Sequence, residues 1–425
     1  MKKRPFICLS KPTLEYDVIE PGCRLNIIPV PQKAVLFFPK AGGHKGSLLL
    51  KERDRVKTGQ KLALYAGFED YIISTVTGAI SSISQYTGEF GKSYISVQVE
   101  VSGDETDDTF EKASEDQSIE TAVKYLLSVP GNLTIRPLTD PVNKIDTIII
   151  TGIDSDLMVI TSQYIIKAKM ETLLKGIDIL KSFPGIKKIV LAVRKESMQG
   201  YGHIGAEVKN ISTIYPSAFH QLVVKESLGK IIPAGKKPED IGVFVINSEA
   251  VSSLGFAFMH KRIPTDKIFT LIDRDGSKKI VSARIGTPVG ETLKASGITL
   301  NHGDRLIIGG PMAGLPAYSE DYPITADTDA VMVQDKRNIQ PFSDYPCINC
   351  GDCIRICPAG IPVNMLVRYL EAKMYQQAAD EYDLYSCIEC GLCSYVCVSK
   401  MPISQYIRLA KYELAGINDA EAANA

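Results

Sequence analysis

The sequence predicts a multidomain chain of mixed α/β and α+β class. Three observations carry this. Residues 31–101 read as short apolar strands broken by glycine. Residues 119–262 alternate buried-strand and helix signals, the pattern of an α/β layer domain. Eight of the ten cysteines crowd into residues 347–397, in two copies of one spacing.

At 425 residues the chain has room for three or four domains with ample cores. Its 45% hydrophobic and 23% charged residues are globular values. A net charge of −1 supplies no field that would draw nucleic acid or an anionic membrane surface. The basic N-terminus lacks an apolar stretch of signal length, and no apolar run is long enough for a bilayer-spanning helix.

The elements follow in order. Residues 1–30 carry no strong pattern and are expected to form an extension. The runs 34–38, 62–65, 71–75, 79–83 and 95–101 are expected strands, with turns at 54–60 and 76–78. Residues 102–118 are acidic and polar, and read as a solvated linker running into a helix. In 119–262, the runs 147–151, 188–193 and 241–246 suit buried parallel strands, and 162–183 has helical period. Residues 265–316 predict strands at 267–272, 279–283 and 305–308 around a helix at 288–296, an order that suits a β-grasp module. Residues 317–340 read as a connector. The cysteine-bearing unit spans 341–412, with a helix at 362–378 between its two runs. The polar tail, 413–425, is expected to be disordered.

The cysteines carry the strongest chemical signal. Cys347, Cys350, Cys353 and Cys357 read C-x2-C-x2-C-x3-C, followed by Pro358. Cys387, Cys390, Cys393 and Cys397 repeat the spacing, with Val398 in place of the proline. This is the pattern of a bacterial two-cluster ferredoxin, whose fourth cysteine in each run ligates the other cluster. The expected sets are Cys347, Cys350, Cys353 and Cys397 for one [4Fe–4S] cluster, and Cys387, Cys390, Cys393 and Cys357 for the other. Gly351 and Gly391 relieve crowding where the backbone must approach the sulfides. A zinc site does not need the fourth cysteine three residues on. Disulfides do not suit a chain without a secretion signal, and the cluster cysteines argue for a reducing, cytoplasmic setting. Cys8 and Cys23 read as structural thiols. His44, His203, His220, His260 and His302 are scattered and are not expected to ligate. Tyr345, Tyr385 and Tyr395, close to the cysteines, are expected to pack.

The order of these parts resembles the C subunit of the Rnf ferredoxin:NAD oxidoreductase. Relatives of that protein include the A subunit of the Na+-translocating NADH:quinone reductase and the flavin subunit of respiratory complex I. The motifs that carry the resemblance are R-D-R-V-K-T-G-Q at 53–60, R-I-G-T-P at 284–288, the glycine-rich 309–314 and the eight cysteines. It implies a barrel-sandwich hybrid at 31–101 and a Rossmann-like core, related to a flavin/NADH domain, at 119–262. It further implies an SLBB-like β-grasp module at 265–316 and a dicluster ferredoxin-like helical domain at 341–412.

The resemblance also implies FMN and NAD(H), but the three elements that carry them in the family are altered here. The family's G-G-A-G-F-P-T loop is V-P-G-N-L-T-I-R-P at 129–137, with one glycine. Its N-G-A-E-C-E-P-Y appears as T-G-I-D-S-D-L-M at 151–158, which leaves Gly152, Asp154 and Asp156 as pocket candidates. Its Y-P-T-G-G-E-K appears as Y-P-S-A-F-H-Q at 215–221, where Phe219 would obstruct a phosphate. Asn247 is a fourth, weaker candidate. Asp154 and Asp156 read better as hydrogen-bond acceptors at a strand end than as catalytic acids. The first functional expectation is therefore an iron–sulfur electron-transfer subunit without its own FMN, peripheral on the inner face of the cell membrane. Its partners would be membrane-embedded and other redox subunits and a one-electron carrier such as a ferredoxin or cytochrome. The alternative is an FMN-containing NAD(P)H dehydrogenase subunit. A partner-binding scaffold is the third reading, against which the intact clusters argue.

Overall fold

A computed structural model describes residues 12–39, 48–65, 71–88, 92–194, 204–343 and 345–424. Cys8, His44 and His203 lie outside the described residues.

The first unit is an antiparallel sheet in the order Lys33–Pro39, Ser93–Val101, Gly78–Thr87 and Arg55–Val56. A separate ribbon pairs Lys61–Ala63 with Tyr71–Ile73. Alternate residues Ala34, Leu36 and Phe38 face Val97, Val99 and Ile80 in one core, as a half-buried strand requires. The strand expected at 79–83 is ten residues long, because a register shift between Ile80 and Ser82 lets pairing continue.

The second unit is a four-stranded parallel sheet in the order Glu207–Asn210, Lys188–Val193, Thr147–Thr151 and Val243–Asn247. Every residue of Thr147–Thr151 is buried, which explains its unbroken apolar run. The polar Glu207–Asn210 is an edge strand with no apolar signal to betray it. The helix expected at 162–183 is two, Thr161–Ala168 and Met170–Lys181, broken at Lys169. The acidic linker also proves partly structured. It contains the helix Thr109–Ala113, whose Phe110 is buried against the rings of Tyr125 and Phe258.

The third sheet has six strands in the order Leu25–Ile27, Lys278–Arg284, Asp266–Ile272, Ala330–Gln334, Arg305–Ile308 and Leu315–Pro316. Two expectations are corrected here. The N-terminal extension contributes an edge strand, and buries Tyr16 and Ile19 on the way. The connector at 317–340 contains Ala330–Gln334, which lies between two other strands of the sheet and buries Ala330, Val331 and Val333. Both strands are short, and tertiary pairing rather than local pattern decides them.

The C-terminal unit is helical. The helix expected at 362–378 is divided into Val363–Glu371 and Tyr375–Glu381, with Lys373 at a positive φ of 57° between them. The tail expected to be disordered from 413 instead continues the helix Ile403–Asn424. Its run of alanines and acidic residues has high helix propensity, which outweighs its polarity. Among the described residues, no helix is long and apolar enough to cross a membrane.

Candidate iron–sulfur centre

The two cysteine runs fold alike. Asn349 and Glu389 both have φ of 59°, and Gly351 and Gly391 have φ of 78° and 77°. These left-handed turns coil each loop. The N–H of Asn349 then donates to Cys347 Sγ at 3.4 Å, and that of Glu389 to Cys387 Sγ at 3.3 Å. Short helices, Asp352–Ile356 and Leu392–Tyr395, follow each loop and carry Cys353 and Cys393.

One small cavity is lined by Cys347, Cys350, Cys353 and Cys397, with Val367, Met401 and Ile403. A second is lined by Cys387, Cys390, Cys393 and Cys357, with Ile361, Leu392 and Ile407. Each gathers three cysteines of one run and the last of the other. Among the described residues, no group of three His, Cys, Asp or Glu is arranged to hold a single metal ion. Zinc would require its donors to converge to about 2.0–2.3 Å from one point. A cubane takes its thiolates at its corners, so four sulfurs around an apolar cavity fit it better. Burial pushes the Cys353 thiol up to about 11 and the Cys390 thiol up to about 12, and raises Cys387 and Cys393 as well. A thiolate at these positions needs positive charge beside it to offset desolvation.

The two sets differ in their surroundings. Around the first, Tyr345 is 76% exposed, and Ile348, Val398 and Tyr395 are exposed too. Tyr345 and Tyr395 thus stand in solvent rather than packing as expected; Tyr385 is partly exposed and lies against Gly235. The second set is docked on the α/β core. Tyr215 donates its hydroxyl proton to Cys390 O at 2.7 Å. Lys411 donates to Cys387 O at 2.7 Å and to Glu389 at 2.8 Å, and Arg408 donates to Ala313 O at 3.0 Å. The Gly391 Cα faces Met312 O so closely that an added Cβ would lie 2.6 Å from it. Of the residues that make these contacts, Lys411 and Arg408 belonged to no motif. Long-range polar contacts of this kind leave no local signal.

The four pocket candidates have internal roles. Asp154 is fully buried and accepts from Ser162 N and Gln163 Nε2, each at 2.7 Å. Gln163 passes the tie on to the backbone of Asp17 and Ile19. Asp156 accepts from the N–H groups of Leu157 at 2.6 Å, Met312 at 3.0 Å and Ala313 at 2.7 Å, and so fixes the 309–314 loop against the second cysteine run. Burial pushes Asp154 up to about 7 and Asp156 up to about 6. Gly152 packs between Val193 and Ile166. Asn247 caps the helix Ser248–His260 by accepting from Ala250 N at 2.7 Å, and donates to Gly131 O at 2.7 Å.

A cavity of about 680 Å³ opens beside the second cysteine set. Ile388, Asp156, Phe219 and Gly310 line one side, and Phe37, Tyr86, Tyr94 and Tyr322 form an aromatic wall on the other. An FMN phosphate would need a cradle of free backbone N–H groups. Gly131, the one glycine of the 129–137 loop, already lies on the helix Ser248–His260, where an added Cβ would meet Ala250 N at 2.3 Å. In the 215–221 loop, Ala218 N donates to the Tyr16 hydroxyl and Phe219 N to Pro216 O. The N–H groups of Gly131, Ala218 and Phe219 are thus already taken by protein acceptors. Of the described histidines, His220, His260 and His302 are all exposed.

The two cysteine-lined cavities have the arrangement of a two-cluster iron–sulfur protein, and three family models match successive parts of the chain. The family of the RnfC barrel sandwich hybrid domain matches residues 22–104, that of the Nuo51 FMN-binding domain 133–255, and that of the 4Fe-4S dicluster domain 346–401. Along most of its length the chain resembles the C subunit of the Rnf complex. It is 26% identical over 382 residues to the C subunit of the ion-translocating oxidoreductase complex of Pectobacterium carotovorum, covering 84% of this chain and 51% of that one. It is 26% identical over 390 residues to the C subunit of the proton-translocating ferredoxin:NAD(+) oxidoreductase complex of Clostridium ljungdahlii, covering 85% of this chain and 83% of that one. The chain thus spans about half the length of the Pectobacterium relative. A solved NAD+-reducing [NiFe]-hydrogenase is similar over 74% of this chain and 66% of its own, at 14% identity and a TM-score of 0.44, too loose a likeness to carry an argument.

Proposed function

We propose that this chain is an iron–sulfur electron-transfer subunit of a membrane-associated respiratory redox complex of the Rnf type. In this reading Cys347, Cys350, Cys353 and Cys397 hold one [4Fe–4S] cluster, and Cys387, Cys390, Cys393 and Cys357 hold the other. The bound clusters supply one-electron transfer. The chain itself holds the thiolates, excludes water from the second set and fixes its position through Tyr215 of the α/β core and through Arg408, which holds the 309–314 loop. Its partners are the membrane-embedded and other redox subunits, with a one-electron carrier such as a ferredoxin or cytochrome, on the cytoplasmic face. The six-stranded sheet serves as an SLBB-like module that joins the parts.

The chain works without its own FMN. The observation that carries this is the internal use of Asp154 and Asp156, whose oxygens are taken by protein donors. A hydride brings two electrons, and no side chain here divides the pair. The alternative, an FMN-containing NAD(P)H dehydrogenase subunit, is favoured by the match to the Nuo51 FMN-binding domain and by the aromatic-walled cavity beside the second set. Acid release of cofactor from anaerobically purified protein separates the two. The main reading expects about eight irons per chain, as two four-iron clusters imply, and no stoichiometric flavin. It also expects no NADH oxidation with an artificial acceptor. One FMN per chain, with NADH oxidation abolished by Asp154→Ala, would establish the alternative.

A further inference from the structure

The two cysteine loops fold alike but meet different charges. On the first, Arg355 pairs with Asp352 inside one short helix, and both side chains are partly exposed. That cation is spent on its own neighbour, at the solvent side. The second loop receives its cation from another element. The helix Ile403–Asn424 lays Ser404 and Ile407 against the second cysteine cavity. Lys411 follows one turn further along the same face, at the i, i+3, i+7 spacing. Its ammonium donates to Cys387 O at 2.7 Å and to Glu389 Oε1 at 2.8 Å. Arg408 lies 3.6 Å from the other Glu389 oxygen. Lys411 is 21% exposed, so water screens its charge less than that of a surface lysine.

A cubane held by four thiolates is an anion, and reduction adds one more negative charge. Burial disfavours that addition, whereas a fixed cation favours it. The second set is the one at risk. Its Cys390 is buried, while Cys350, at the same place in the first run, is exposed. From this we infer that Lys411 tunes the second cluster: its ammonium, pinned on the Cys387 carbonyl, raises that cluster's reduction potential, and Glu389 tempers the rise. The inference rests on the reading of these cysteines as cluster ligands. The electron comes from the one-electron carrier of that reading and passes from cluster to cluster, with no bond made or broken. Lys411 thereby keeps the buried cluster within reach of an electron held on the exposed one.

Anaerobic redox titration of the full chain, followed by EPR, reads both potentials. The signal lost in Cys357→Ala marks the second cluster. Lys411→Met should disfavour reduction of that cluster about tenfold, a fall of about 59 mV for one electron, and leave the first unchanged. Glu389→Gln should shift it upward by a similar amount, and Lys411→Arg should stay near the native value. A role confined to holding the helix in place would cost stability in both variants without moving the potential in opposite directions. If Lys411→Met fails to load iron, the upward shift in Glu389→Gln decides alone. No shift, shifts of one sign in both variants, or equal shifts of the two clusters overturns the inference. With about eight irons and two signals in the native chain, such a result leaves the cluster reading standing. A native chain without the two clusters overturns both.

Discussion

The two cysteine loops provide an internal control for the docking of the second one. Gly351 and Gly391 have φ values within a degree of each other, so alanine at either incurs the same left-handed backbone cost, about 1–2 kcal/mol. Their surroundings differ. A Cβ at position 351 would meet the Arg355 Nη1 at 3.2 Å, the end of a flexible side chain. A Cβ at position 391 would meet the backbone carbonyl of Met312 at 2.6 Å, about 0.8 Å inside ordinary contact at 3.4 Å. That carbonyl cannot retreat freely. Asp156 holds the N–H groups of Met312 and Ala313, and Arg408 holds the Ala313 carbonyl. Pulling the loop away puts these buried bonds at risk, at about 1–3 kcal/mol each. Gly391→Ala should therefore cost about 3–5 kcal/mol, and Gly351→Ala about 1–2 kcal/mol. Denaturant unfolding of anaerobic protein, followed by iron–sulfur absorbance, gives both values. Met312→Ala should not rescue Gly391→Ala, because the obstacle is backbone. Equal losses at the two glycines, or rescue by Met312→Ala, would refute the docking argument.

Cys357→Ala should damage the set containing Cys387, Cys390 and Cys393 and leave that of Cys347, Cys350 and Cys353 intact; iron should fall from about eight toward about four per chain, with one EPR signal and its spin–spin broadening lost. Lys267 is fully buried and paired with Glu249. Lys267→Met should cost about 3–5 kcal/mol by stranding that carboxylate, and the double variant with Glu249→Gln should recover part of it in thermal melts. Asp154 gives a pH prediction. Its folded value, about 7, lies above that of an unfolded aspartate, so its contribution is full below about pH 4 and is lost as pH rises through about 7. The melting temperature of the native protein relative to Asp154→Asn should accordingly fall between pH 5 and 8, by the equivalent of about 1–3 kcal/mol; a flat difference would count against a raised carboxyl.

The cysteine spacing made the 4Fe-4S dicluster domain legible, because eight cysteines at fixed offsets are a local pattern. The buried runs at 147–151 and 188–193 were legible for the same reason: strands covered on both faces must be apolar throughout. What escaped was decided at long range. Leu25–Ile27 and Ala330–Gln334 are strands because partners wait for them, and three to five residues carry too little pattern to say so. Asp156 and Asn247 could be read as pocket residues from the chain. Only the fold reveals that Met312, Ala313 and Ala250 already occupy them. Tyr215 stood inside a quoted motif, but its partner, the carbonyl of Cys390, lies 175 residues away.

The interleaving of the two cysteine runs bears on how such a protein is made. Neither cavity has its full set of sulfurs until the second run has been synthesised, as far as Cys393 for one and Cys397 for the other, and has folded back beside the first. A nascent chain that has emerged only as far as Glu381 offers three thiols to one site and a single thiol to the other. Loading of both clusters is then a late, coupled event on a nearly finished polypeptide. The large N-terminal units are synthesised before either set of sulfurs is complete.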